Sequence, residues 1–542
     1  MKVKKSLFGL LVLLCCAIPS AHAISASPHP VEGSNVGVAY LLPGTAQVLG
    51  DNIDTYYHPA STQKILSTLS ALIYLGPQWR IKTLLLTESE LFNEQGNLRV
   101  DSKGTLHGDV TVRFSGDPSL TSEKYRQLLS TLSKAGVRRI EGKVQLDVSR
   151  FGGLSKGNGW SWNDLPVCFT APAAPIIINR NCAMLELLPL KLGDLVGAKI
   201  SRYSPVKVSS TARTVLPKQY GGSCELEIQL YQNNEYHLSG CAPQQPKGQA
   251  LPLSVSVSDP EAFGLAWTKV LLEDLHIAFQ QIVLIRNGDE RLREIARHES
   301  APLSELIRFT LHRSNNLFAD AIAKNLAAEY LNMPATYPRM ARVIKEVLKK
   351  RAGVDLGDAY IVDGSGLSPH NLITPRQMLR VMDYINRSES ELHFKELLPV
   401  SGESGTLRYR SSTNEPPLYN NVTAKTGSLE NVINLAGFVK SKSGAQVPFV
   451  IFTNSIALPE KVREQVKLHR RANPALAYER YLLEGMYEEK VYVPDVAFGP
   501  ETGNYAHLKT AKPKSVKKSA PKKSTPKKSA PKKTTPKKSN PT

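Results

Sequence analysis

The sequence predicts an α+β fold in which a single domain is split by a long β-rich insertion, and three observations carry this. Residues 36–42 form a continuous buried-strand run, and a helical pattern follows from near Pro59, with Ile65, Leu66, Leu69 and Leu72 on one face. Helical spacing returns from about residue 302, first through Leu303, Leu306 and Ile307, then through Phe318, Ile322 and Leu326, before 422–439 alternates like an antiparallel hairpin and 447–452 adds a strand. Between these ends, residues 86–285 break into short β-rich runs (110–114, 143–148, 224–230, 253–257), interrupted by one amphipathic helix at about 122–135. Helices bracketed by strands at both ends of the chain suit an antiparallel sheet flanked by helices, with the central block inserted into it. The expected boundaries are 24–85 with 286–495 for the split domain, 86–110 with 186–285 for the inserted domain, 111–185 for a third domain nested in it, and 509–542 for a tail.

Composition narrows the class. Of 542 residues, 41% are hydrophobic and 21% charged, which excludes collagen-like, wholly disordered and multi-spanning membrane chains. The first 23 residues read as a cleaved secretory signal: Lys2, Lys4 and Lys5, an apolar run over 7–18, then Ala21-His22-Ala23. That run is shorter than the roughly 20 apolar residues a spanning helix needs, so an exported, soluble protein is expected. Four cysteines remain after the signal, Cys168, Cys182, Cys224 and Cys241, and export favours two disulfides among them. Three connectivities are possible; 168–182 with 224–241 is preferred because each closes a short loop.

The net charge of +20 is misleading until it is located. Residues 509–542 hold 13 Lys and no Asp, Glu or Arg, and the signal holds three more Lys, so only +4 remains on the body. The tail repeats every five residues with a proline in each repeat, as in Ala520-Pro521-Lys522-Lys523-Ser524, and is expected to be an extended, solvated polycation. Its expected partners are anionic wall or membrane polymers, which would attach the protein peripherally. Export argues against nucleic acid as a physiological partner.

Three short motifs could carry chemistry. In Ser61-Thr62-Gln63-Lys64, Pro59 suits a first helical turn and sets Ser61 near the helix N-terminus, where unpaired N–H groups and the dipole favour developing negative charge. Positions three apart share a helix face, so Lys64 can reach the Ser61 hydroxyl. A lysine acts as a base only when neutral, which requires its pKa to fall from about 10.4 towards 7 or 8, at about 1.36 kcal/mol per unit. Burial and a second cation can do this, and Lys425 is the candidate for that cation. The pattern Ser-x-x-Lys also starts at Ser515, Ser519, Ser524 and Ser529, where the tail gives it no catalytic setting.

The second motif, Ser314-Asn315-Asn316, falls between two helical segments, where Ser314 could relay a proton and Asn316 could bind a substrate amide. The third, Lys425-Thr426-Gly427-Ser428, lies on the alternating strand. There Gly427 would let a substrate backbone approach, Thr426 and Ser428 would offer hydroxyls, and Lys425 a positive charge, which together suit a substrate ending in a carboxylate.

In this order, the three motifs resemble those of the penicillin-binding proteins of the D-alanyl-D-alanine carboxypeptidase/endopeptidase class, the low-molecular-mass class C type of peptidase family S13. The 253-residue gap between Ser61 and Ser314 matches that class, as do Asp363-Gly364-Ser365-Gly366-Leu367-Ser368, Ser401-Gly402-Glu403-Ser404-Gly405-Thr406-Leu407 and Asn434-Leu435-Ala436-Gly437-Phe438. The resemblance covers about 34–490. It implies a periplasmic enzyme in which Ser61 attacks the carbonyl before the terminal D-alanine, or that of a D-alanyl-diaminopimelate cross-link, while Lys64 takes its proton. Ser314 and Lys425 would protonate the leaving amine, the N–H groups of Ser61 and Ser428 would form the oxyanion hole, and water would release the acyl-enzyme.

The resemblance further implies peptidoglycan peptides as substrates, β-lactams as inhibitors and no metal or cofactor. Asp164 and Phe169 match positions that help line a side-chain pocket for diaminopimelate, whereas an Arg that often follows Asp-Gly-Ser-Gly-Leu-Ser in relatives is here Pro369. Two other readings compete. A non-catalytic wall-binding protein is opposed by the intact motifs, and a β-lactamase by the lack of a Glu-x-x-Leu-Asn stretch and by Ser314 in place of a tyrosine.

Overall fold

The computed structural model describes residues 30–201, 204–289, 291–493 and 497–498; the expected signal and the Lys-rich tail lie outside the described residues. The central sheet is built from both ends of the chain. Its strands are β1 (Asn35–Tyr40), β2 (Leu49–Asp51), β3 (Val422–Leu429), β4 (Val432–Lys440) and β5 (Gln446–Asn454). They pair antiparallel in the order β3-β4-β5-β1-β2. The longer helices of this part are α1 (Gln63–Leu75), α2 (Leu303–Arg313), α3 (Asn316–Leu331), α4 (Tyr337–Ala352), α5 (Pro375–Arg387) and α6 (Pro474–Tyr487), with two short ones at Glu389–Leu392 and Glu460–Lys467.

The alternation of strand side chains decides what covers each face. Ala39, Ala436, Phe438, Val450 and Phe452 point into a core shared with α1 to α5, including Leu69, Ile322, Val347 and Met382. Their neighbours Val38, Tyr40, Leu435, Phe449 and Ile451 point the other way, onto Tyr478, Leu482, Leu483 and Met486 of α6. Both faces of the central strands are therefore dry, which explains the near-continuous buried runs of β1 and β5.

One edge of this sheet matters for function. Strand β3 is terminal, and its first half is covered: Thr423 bridges to Val400, and the Ala424 N–H donates to Pro399 O. From Lys425 onward no backbone partner among the described residues pairs with that edge, which leaves it able to take an extended chain.

The insertion leaves through the strand Lys82–Thr87 and returns through Arg293–Glu299, which pair antiparallel. A five-stranded sheet joins them to Val110–Arg113, Val144–Asp147 and Ile282–Ile285, with the last three strands mutually parallel. The insertion also holds three smaller sheets, one of Cys182–Leu188, Gly197–Ile200 and Leu251–Ser256, one centred on Glu235–Pro243, and one of Thr105–Leu106, Arg139–Ile140 and Ala278–Phe279. Strands from 110–147 pair with strands at both ends of the insertion. Parallel partners such as Val144 and Ile282, 138 residues apart, leave no local trace in the sequence.

The helix Ser122–Lys134 falls where its amphipathic pattern predicts it, with Thr121 capping the Lys124 N–H. A second helix, Pro260–Asp274, runs through what reads as β-rich sequence. Asp259 caps it, and Phe263, Trp267, Leu271 and Leu272 are buried; with so much of its surface covered, its polar and apolar residues do not separate into clear faces. The disulfides are Cys168–Cys182 and Cys224–Cys241, with Cα atoms 5.4 and 6.0 Å apart. Among the described residues no helix is long and apolar enough to cross a membrane.

Candidate active site

A single 3₁₀ turn, Ala60–Thr62, precedes α1 and presents Ser61. Its backbone is constrained: Ala60 adopts φ +48°, a left-handed conformation that costs a non-glycine residue about 1 kcal/mol or more. Gly366 lies so close that a Cβ there would sit 1.8 Å from Ala60 O. The Asp363–Ser368 stretch thus clamps the turn from behind.

Lys64 is fully buried one helical turn on. Its Nζ lies 2.8 Å from Ser61 Oγ, 2.7 Å from Asn316 Oδ1 and 2.6 Å from the Ser365 carbonyl. Three oxygens therefore fix the amine, and one of them is the hydroxyl it would deprotonate. Burial lowers its pKa from 10.5 to about 8, against the opposing pull of the Asp320 and Asp363 carboxylates.

The motif at 314–316 is legible residue by residue. Ser314 ends α2 in a left-handed conformation (φ +51°), Asn315 caps α3 by accepting the Phe318 N–H, and Asn316 opens α3 with its side chain towards Lys64. The kink between the helices turns Ser314 away from them, so that its Oγ lies 2.9 Å from Lys425 Nζ.

Lys425, also fully buried, donates in addition to the Thr426 carbonyl at 2.8 Å. Its pKa is driven well below the ordinary value by burial first, then by the charges of Lys64 and Arg410. Burial is the first cause for both amines, and because the Lys64 and Lys425 charges repel each other, each cation disfavours the other. Thr426 is nearly buried and its Oγ1 donates to Thr406 Oγ1 at 2.9 Å, while Ser428 is exposed at the open part of the edge.

Gly427 has a packing role that the sequence does not reveal. A Cβ at this position would lie 2.6 Å from Pro59 O and 3.2 Å from Ala60 Cβ. The glycine lets β3 lie directly against the turn that carries Ser61, which brings the two motifs to one cleft.

The loop 161–170 forms the remaining wall. The Asn316 amide donates to the Phe169 carbonyl at 2.8 Å, and the Cys168–Cys182 disulfide ties down the adjacent residue. The Phe169 ring is half-exposed, Trp162 more so, and the Asp164 carboxylate has no hydrogen-bond partner among the described residues. Pro369 lines a cleft of about 430 Å³ with His58, Asn158, Tyr360 and His370.

Several groups in the site are absent from the three motifs. Asp363 accepts from the N–H groups of Gly366 and Ser368, from the Asn371 amide and from the Trp160 indole, which shapes the loop that supplies the Ser365 carbonyl. Asp320 of α3 accepts from the Gly364 N–H, and burial raises its pKa. Lys324, one turn later, donates to the Leu154 and Ala173 carbonyls. The signal available for these two was an Asp and a Lys four apart in the run 317–328, which apart from them and Asn325 is apolar. Among the described residues no cluster of metal-ligating side chains occurs.

A buried amine beside a helix-start hydroxyl, facing a second serine–lysine pair and an open strand edge, has the parts for serine acyl transfer. With an antiparallel sheet between helices, this defines a serine enzyme with the penicillin-binding fold. The model of the D-Ala-D-Ala carboxypeptidase 3 (S13) family matches residues 21–472, and the chain belongs to that family. It is 34% identical over 459 residues to D-alanyl-D-alanine carboxypeptidase DacB of Haemophilus influenzae, covering 84% of this chain and 92% of that one. The crystal structure of penicillin binding protein 4 (dacB) from that organism superposes with a TM-score of 0.77 at 34% identity, over 84% of this chain and 97% of the other. Its complex with a β-lactam gives 0.73 at 32% identity, with the same coverage. More distantly, penicillin-sensitive carboxypeptidase A of Dictyostelium discoideum is 25% identical over 406 residues, 71% of this chain and 74% of that one.

Proposed function

We propose that the chain is a serine-type D-Ala-D-Ala carboxypeptidase and DD-endopeptidase that cleaves peptidoglycan stem peptides and cross-bridges through an acyl-enzyme, and that β-lactams acylate the same serine. The observation that carries this reading is the 2.8 Å approach of a buried, pKa-depressed Lys64 amine to Ser61 Oγ. Neutral Lys64 takes the Ser61 proton as Oγ attacks the carbonyl before the terminal D-alanine. The substrate lies along β3 from Lys425 onward, and the N–H groups of Ser61 and Ser428 receive the developing oxyanion.

Burial and the Lys64 and Arg410 charges hold the Lys425 pKa well below its ordinary value. A substrate carboxylate, bound by Lys425 with Thr426 and Ser428, favours the Lys425 cation. Ser314, hydrogen-bonded to it, passes a proton to the departing amine. Asn316 holds Lys64 and the Phe169 carbonyl at once, and so joins the base to the wall where Asp164 and Phe169 accept the diaminopimelate side chain. Water then frees the acyl group.

The body is exported to the periplasm with a cleaved signal, a reading supported by two disulfides. The tail 509–542 holds the enzyme on anionic wall or membrane polymers; raising salt and deleting the tail each lower retention, and retention unchanged in both removes this part.

The test of the whole is digestion of purified uncross-linked and cross-linked muropeptides, with release of D-alanine and of monomers followed separately. Ser61→Ala abolishes both products and labelling by a fluorescent penicillin. Hydrolysis surviving in that variant refutes the assignment.

A further inference from the structure

Next to Thr406, the hydrogen-bond partner of Thr426, lies a depression of about 780 Å³ that the catalytic steps leave unused. Thr406 forms its inner rim and is hydrogen-bonded to Thr426, so the depression adjoins the edge where a substrate carboxylate is held. Its outer rim carries His469, Arg470 and Arg471, all exposed. Arg410 also lines it and is held bidentately by Glu479 at 2.7 and 2.6 Å. Arg470 and Arg471 have no ion-pair partner among the described residues. Two unneutralised guanidinium groups next to a channel of this volume are suited to carboxylates presented by an extended chain.

We infer that this cationic depression is a subsite for the departing strand of a cross-linked peptide, a chain that carries further carboxylates beyond the scissile bond, and that Arg470 and Arg471 select cross-bridges over single stem peptides. The inference rests on the proposed peptidase reading and deepens it. A stem peptide losing one D-alanine places its only leaving-group carboxylate at Lys425 and Thr426 and does not reach the depression. A cross-bridge leaves as a whole second peptide, whose chain must run on past Thr426 and Thr406. The tyrosine at 409, 83% exposed on the same rim, gives that chain a flat surface to lie against.

The test compares the double variant R470S/R471S with R470K/R471K and the parent protein on two substrates, an uncross-linked pentapeptide muropeptide and a cross-linked dimer, at low and high salt. At low salt R470S/R471S raises KM for the dimer about five- to tenfold, while R470K/R471K, which keeps the charge, stays within about twofold of the parent. Pentapeptide hydrolysis and fluorescent-penicillin acylation of Ser61 are unchanged in both, and raising salt removes the difference on the dimer. Equal effects on the two substrates, or none on either, overturn the subsite while leaving the peptidase reading intact. A parent protein that labels with penicillin but cuts neither substrate overturns the peptidase reading, and the subsite with it.

Discussion

Raising the pH from 6 to 9 perturbs the Ser61–Lys64 pair directly. Full burial brings the Lys64 pKa from 10.5 to about 8. At about 1.36 kcal/mol per unit this is about 3 kcal/mol of preference for the neutral amine, supplied by the fold before any substrate arrives. The sign follows from the base being the unprotonated form: reactivity is low below the folded pKa, climbs through it, and levels above it. At pH 7 about one Lys64 in ten is neutral, against about one in 3,000 for an exposed lysine, and between pH 6 and pH 8 the neutral fraction grows about fifty-fold. The assay is the second-order rate of Ser61 acylation by a fluorescent penicillin at fixed ionic strength, followed across that range. Lys64→Arg, whose guanidinium keeps its proton, removes both the rate and its pH slope. A parent profile flat from pH 6 to 9, or one still climbing tenfold per unit at pH 9 with no plateau, refutes the claim that burial prepares this amine as the base.

Three further outcomes follow from particular contacts. Asn316→Ala removes the Oδ1 acceptor at 2.7 Å from Lys64 and the donor to Phe169 O, and slows acylation by about 100-fold with a near-parental melting curve, because misplaced groups cost rate more than stability. Gly427→Ala forces a methyl to 2.6 Å from Pro59 O, costs about 1–3 kcal/mol in denaturant unfolding as overpacking, and slows acylation by displacing the Ser61 turn. Glu479→Gln leaves Arg410 buried without its counter-charge and lowers unfolding free energy by about 3 kcal/mol; an unchanged denaturation midpoint contradicts the buried pair.

Much of the site was legible because its chemistry is local. Ser61 and Lys64 share one helix turn, Ser314 to Asn316 are a helix end and a helix start, and Lys425 to Ser428 lie on one strand, so each motif is nearly complete within a few residues. The shared cleft was not readable from spacing, because it depends on Gly427 being flush with Pro59 and on the 363–368 loop closing behind Ala60. In sequence Lys64 reads as the base and Lys425 as the cation beside it, but the charges that surround them, Asp320 and Asp363 at Lys64 and Arg410 at Lys425, lie outside the three motifs. The helix at 260–274 was missed for a related reason: a helix covered on several sides loses the polar stripe by which helices announce themselves.

The partly covered edge of β3 has a consequence for how the protein behaves in a crowded compartment. A long bare sheet margin invites other chains to zip onto it. Here the 399–400 segment hems the margin up to Ala424 and leaves a gap of only a few residues, between that hem and the turn into β4. Such an opening admits a short oligopeptide and gives a second copy of the enzyme too little hold to start a fibre.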